Sequence, residues 1–207
     1  MTTAAGHLHP AERLVFFTDA VVAIALTLLI LPLLESVTDA AAHGLDTLGY
    51  LHEHDGQLAA FALSFVIIAR FWRGHDRLFV HVERQSPTLL WLNMGWMFTI
   101  VWLPVATAMV GAMETDRLQL AIYIGSMLAT SLCQLAMLQL VRRDRRLRRS
   151  GTPPEVRAVR SAVLVSVLFA VALVLAVLVP GVQFWSLLVL LLTPVVEWLL
   201  RLRDGRG

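Results

Sequence analysis

Asp19 lies inside the apolar run RLVFFTDAVVAIALTLLILPLL, which extends from Arg13 to Leu34. At the centre of a membrane helix a charge costs on the order of 2.5–3.5 kcal/mol, so this carboxylate calls for a partner or for water. Candidate partners are few. Arg13 and Thr18 share the run, His75 stands in FWRGHDRLF, and Asn93 stands in LLWLNMGW. Two chemistries are open to these residue types. A carboxylate and an imidazole in reach of each other, Asp19 and His75, make a proton relay. The same groups joined to an amide and a hydroxyl make a structural knot in which each polar group satisfies another, and this is the plainer reading.

Further along the same run, Ile24, Thr27, Leu28 and Leu31 recur at i, i+3, i+4 and i+7, and so share one helical face. Taken alone, that face reads as packing, because apolar residues surround it. The segment 35–56 collects Glu35, Asp39, Asp46, Glu53 and Asp55 with His43, His52 and His54, without ligand spacing for a metal. It reads as a solvated acidic loop. Cys133 is the single cysteine and sits in an apolar run, so a buried thiol is expected and an intramolecular disulfide is excluded. No nucleophile–base–orienter set, Gly-rich phosphate loop or TVGYG-like potassium filter is visible in the sequence. A membrane enzyme is therefore the least favoured class, and no cofactor or metal is expected.

The elements that must position these residues are long apolar helices. Of 207 residues 57% are hydrophobic and 15% are charged, and the mean hydropathy is +0.71. These values point to an all-α membrane protein, since only helices and closed barrels satisfy their backbone in lipid. Six spans are predicted, at about 13–34, 57–78, 87–110, 117–141, 162–179 and 183–202, in one unit over residues 1–207. The run from Arg13 to Leu34 would reach about 31 Å as a helix, enough to cross a bilayer core. Pro10 suits a first helical position with Glu12 in the first turn, and Pro32 is expected to loosen or kink the far end. No cleavable signal peptide is evident.

All 17 basic residues are arginines. They gather before the first span, in 79–86, in 142–160 and in the tail, whereas 35–56, 111–116 and 180–182 carry none. The positive-inside rule then places both termini in the cytoplasm. Membrane topology accounts for the basicity, so no nucleic-acid partner is implied. The run 142–149 can also attract anionic lipid headgroups. Trp72, Trp91, Trp102, Trp185 and Trp198 fit interfacial belts, and Glu197 stands four residues before Arg201 in the favourable order for a helix ion pair. No span carries regularly spaced arginines of a voltage sensor.

Arg13, Phe17, Thr18 and Asp19 resemble the R-x-x-x-F-S-D signature that opens the first helix of TMEM175-type potassium channels. The continuation AVVAIALTLLILPL, Trp72 and His75 in FWRGHDRLF, Asn93 in LLWLNMGW and Pro104 are similar to the same family. Thr18 departs from the usual serine and keeps the hydroxyl. The resemblance implies, as in bacterial members, a homotetramer of six-helix subunits in a cell membrane. Its pore would be lined by the first helices, with an apolar constriction at Ile24, Leu28 and Leu31 and a pore-facing Thr27. It further implies a cytoplasmic-side knot of Arg13, Phe17, Thr18, Asp19, Trp72, His75 and Asn93.

The implied function is a potassium-permeable leak channel, with monovalent cations as permeant species and membrane lipid and further copies of itself as partners. An apolar ring conducts only when it hydrates or widens. The rivals are a proton-permeable channel or proton-coupled transporter using Asp19 and His75, and a membrane scaffold without a pore.

Overall fold

A computed structural model describes residues 9–114, 116–149 and 154–178. Seven α-helices are present among them: α1 Glu12–Leu28, α2 Leu31–Ala42, α3 Thr47–Glu53, α4 Asp55–Phe79, α5 Pro87–Ala112, α6 Arg117–Arg143 and α7 Val156–Leu178. With α1 and α2 taken as one span, five stretches are long and apolar enough to cross a membrane. They match the first five predicted spans, with α7 starting earlier than expected. The sixth predicted span, 183–202, lies outside the described residues, as do Trp185, Trp198 and the Glu197–Arg201 pair.

Local chemistry sets the helix boundaries. Pro32 has no N–H to give the carbonyl of Leu28, and its ring crowds that carbonyl. Accordingly α1 ends at Leu28, and α2 restarts at Leu31 with Pro32 in its first turn. Ser86 caps α5, its side chain accepting from the Leu89 N–H at 3.2 Å, and Asp116 caps α6, accepting from Gln119 N at 2.7 Å. These side chains satisfy amide groups that the first helical turn leaves without partners.

Two expectations are corrected. The acidic connection 35–56 is not a loop: α2 continues through Glu35 and Asp39, and α3 follows, capped by Asp46. Two of its histidines serve the backbone, His43 and His54 being C-caps whose Nδ1 atoms lie 2.7 and 3.1 Å from the carbonyls of Asp39 and Tyr50. Pro10 is not a first helical residue. It pairs with Arg84 in a two-stranded antiparallel ribbon, β1 His9–Pro10 with β2 Arg84–Gln85.

That ribbon belongs to a small plate joining three distant segments. Ala11 N donates to Glu83 O at 3.1 Å, Glu83 N to Leu147 O at 2.9 Å, and Arg149 N to His81 O at 2.9 Å. A further bridge pairs Val82 with Arg148. The start of α1, the α4–α5 turn and the segment after α6 therefore share one end of the bundle, which gathers Arg13, Arg84 and the 142–149 run.

Within the bundle, α5 is central and packs on α1, α4 and α6, while α7 packs on α6. Trp96, Ile100, Leu103 and Ala106 form its fully buried stripe. Midway along, the hydroxyls of Ser64, Thr107 and Tyr123 are linked at 2.8 Å, tying α4, α5 and α6 through polar groups that lipid could not satisfy.

Because Glu83 N–H holds the 144–149 segment, Glu83→Pro removes one hydrogen bond worth about 1 kcal/mol. Limited trypsin digestion of the purified chain should then cut among Arg145–Arg149 about five times faster, with cleavage elsewhere unchanged.

Candidate functional site

The first helix divides by face. Leu14, Thr18, Val22, Ala25 and Leu29 are buried against the bundle. Ile24 and Leu28 lie on the other side at 59% and 38% exposure, and Leu31, at the start of α2, at 48%. Thr27 shares their face, and its hydroxyl donates to the Ile24 carbonyl at 2.8 Å, leaving oxygen lone pairs outward. Helical spacing alone arranges this: one face makes the subunit core and the other has no partner among the described residues of one copy.

Where the buried face meets α4 and α5, a chain of polar groups closes. Thr18 Oγ1 donates to the Leu14 carbonyl at 2.8 Å. A hydroxyl has one hydrogen, so Thr18 accepts from Asn93 Nδ2, also at 2.8 Å. That orientation turns Asn93 Oδ1 toward His75 Nε2 at 2.7 Å, and Nε2 must carry the hydrogen. His75 is thereby placed with a hydrogen on Nε2, and its Nδ1 has no hydrogen-bond partner among the described residues. Its ring is stacked between Phe79 and Trp96, with centroids at 4.2 and 4.5 Å. Thr18, His75 and Asn93 are fully buried.

Asp19 sits on a second, more exposed branch. Its Oδ1 accepts from Trp72 Nε1 at 2.8 Å, a second tie between α1 and α4. The aspartate that looked costly in the sequence is thus held by an indole N–H. Asp19 and His75 are not bonded to each other. The imidazole chain runs one way and ends on a backbone carbonyl, which has no proton to pass on.

Residues 13–104 match the family model described as endosomal/lysosomal potassium channel TMEM175. Both branches fall inside that segment. Over this segment the chain is similar to the TMEM175 family. It is 32% identical over 114 residues to a potassium channel of Streptomyces collinus, covering 53% of this chain and 52% of that protein. A potassium channel of Chryseobacterium sp. is 27% identical over 111 residues, 54% of each chain. An endosomal/lysosomal proton channel TMEM175 of Danio rerio is 25% identical over 124 residues, 60% of this chain and 24% of that protein. The match thus spans about half the length of these bacterial relatives and less of the vertebrate one. In fold, the chain is similar to the crystal structure of a lysosomal potassium-selective channel TMEM175 homolog from Chamaesiphon minutus. The TM-score is 0.72 at 22% identity, over 90% of this chain and 97% of that one. The matched family is one of ion channels rather than enzymes, and the five long apolar stretches among the described residues make this chain a multi-pass membrane protein.

Of the residues that the family signature singled out, the structure brings together Thr18, Asp19, Trp72, His75 and Asn93. It does not bring in Arg13 or Phe17, which are exposed on α1. Three participants escaped the sequence reading, among them Phe79, four residues after His75 on α4. Trp96 lies three residues after Asn93 on the same α5 face, so helical spacing could have flagged it. The Leu14 carbonyl lies four residues before Thr18, the usual back-bond of a helical threonine.

Asn93→Leu would strand the His75 Nε2–H and the Thr18 oxygen in an apolar interior, at about 1–3 kcal/mol for each group. Thermal unfolding in detergent should show a large drop for Asn93→Leu and a clearly smaller one for Trp72→Phe, whose partner Asp19 remains partly hydrated.

Proposed function

We propose that this chain is a subunit of a potassium-permeable leak channel in the cell membrane, a six-helix unit over residues 1–207 that assembles as a homotetramer. The observation that carries the reading is the outward face of the first helix. Ile24 and Leu28, on the helix that also carries the signature residues, and Leu31, at the start of α2, are large, apolar and exposed, without partners among the described residues of one copy. Four such faces around an axis make a narrow apolar lumen. The two bacterial relatives are named potassium channels, and the similar solved structure is titled a potassium-selective channel.

In this arrangement Ile24 forms the main constriction, with Leu28 and Leu31 as further layers. A ring of isoleucines offers a cation no ligand, so conduction requires hydration or widening of the ring. Potassium passes more readily than sodium because the larger ion gives up part of its water shell at lower cost. Thr27 supplies oxygens beside the constriction. The acidic residues of α2, α3 and their connections raise the local cation concentration at the outer mouth. The arginine-rich end, with both termini, faces the cytoplasm. The polar knot is the anchor that fixes the rotation of α1 so that these faces point to the axis. No cofactor is required; potassium is the permeant species.

The name of the Danio rerio relative favours a second reading, a proton-permeable channel using Asp19 and His75. Asp19 and His75 lie on separate branches, with no continuous path between them among the described residues.

Reversal potentials of the purified chain in liposomes under potassium–sodium gradients test the first reading. Potassium-favouring current is expected, and Ile24→Asn should raise conductance and lower selectivity. Absence of cation flux, or an Ile24→Asn protein identical to wild type, would overturn it. Proton current in potassium-free liposomes under a pH gradient would instead support the second reading.

A further inference from the structure

A groove of about 470 Å³ opens between the end of α6 and the start of α7. Its polar lining is Arg142, in the last turn of α6, and Arg160, in the second turn of α7. Its apolar wall is Val156, Val159, Val163, Leu164 and Val167, which recur along one face of α7. The opposite face of the helix, with Ser166, Phe169 and Ala172, is buried. From Arg160 to Val167 the wall runs about 10 Å deeper along the helix.

We propose that this groove holds an anionic phospholipid, with its phosphate between Arg142 and Arg160 and one acyl chain along the valine wall. The argument is one of chemical order along a single surface. Cationic donors stand at the ends of the spans, where headgroups lie, and beyond Arg160 the lining side chains, Val163, Leu164 and Val167, are all apolar. An acidic peptide would suit the arginines and waste the valines; a lipid with an anionic head matches both. Neighbouring charge is favourable, since residues 142–149 hold six arginines against Asp144. The end of α6 is also held in place: Arg148 donates from a terminal guanidinium nitrogen to the Arg142 carbonyl at 3.2 Å, while its backbone bridges Val82. The inference requires that the chain span a membrane and does not depend on ion conduction.

The test uses the full chain in a zwitterionic detergent, titrated with phosphatidylglycerol and, separately, with phosphatidylcholine of the same acyl chains, bound lipid being counted by native mass spectrometry. Phosphatidylglycerol is expected to bind more tightly. Arg142→Gln and Arg160→Gln should each weaken it about five-fold, and together about thirty-fold, with phosphatidylcholine unaffected. Val163→Trp, which fills the apolar wall, should also weaken phosphatidylglycerol while leaving circular dichroism and oligomer size unchanged. Arg143→Gln with Arg145→Gln, on exposed residues outside the groove, should change it less than two-fold.

Equal binding of the two lipids would overturn the proposal. So would a double groove variant that binds like wild type, or an Arg143/Arg145 pair whose loss matches it, since that would mean diffuse charge attraction. If Val163→Trp alters thermal stability or assembly but not lipid binding, the groove is filled by protein, either another part of this chain or a second copy, and the lipid is excluded.

Discussion

The structure depends on a buried hydrogen-bonded chain that has only one consistent direction. Its end is the Leu14 carbonyl, which takes the single hydrogen of Thr18. Every later assignment follows, through the Asn93 amide to the Nε2–H of His75. A network satisfied in this way in a low-dielectric interior fixes geometry more tightly than apolar contact can, because a small rotation leaves a polar group without a partner. Its three helices are α1, α4 and α5. The consequence for α1 is rotational: with Thr18 locked inward, Ile24, Thr27 and Leu28 must lie outward.

A second constraint acts at the end of the bundle. Hydrogen bonds from Ala11, Glu83 and Arg149 join the entry to α1, the α4–α5 turn and the segment after α6. The arginine-rich connection is thereby attached, through the backbone, to the helix that carries the outward apolar face. The polar knot and the plate both act on the first turns of α1, one from inside the bundle and one from its rim. Beyond them α1 is continued by α2 past the turn that Pro32 disrupts, so the helix is held firmly at one end and interrupted near the other.

Much of this was legible in one dimension because it is local physics. Apolar length marks a span whatever surrounds it, and five predicted spans coincide with helices α1–α2, α4, α5, α6 and α7. Pro32 disturbs the helix for a reason contained in its own ring. The polar residues of the knot stand out because each is anomalous in an apolar run. The acidic segment 35–56 was misread because charge signals solvation without deciding backbone conformation: a helix turned toward water carries Glu35 and Asp39 as readily as a loop does. Pro10 was misread because its fixed φ suits a strand edge as well as a helix start, and its partner, Arg84, lies far along the chain.

The sequence by itself determined that this is a helical membrane chain, where most of its spans run, and which polar residues cannot face lipid alone. Only the tertiary structure decided who meets whom. Asp19 had Arg13, His75 and Asn93 as candidate partners and found Trp72, while His75 turned to Asn93 between two aromatic rings. Composition and period specify a residue's need for a partner; the choice depends on the relative rotation and depth of separate helices. Those are set by the packing of α1, α4 and α5 as a whole, a property that no single segment contains.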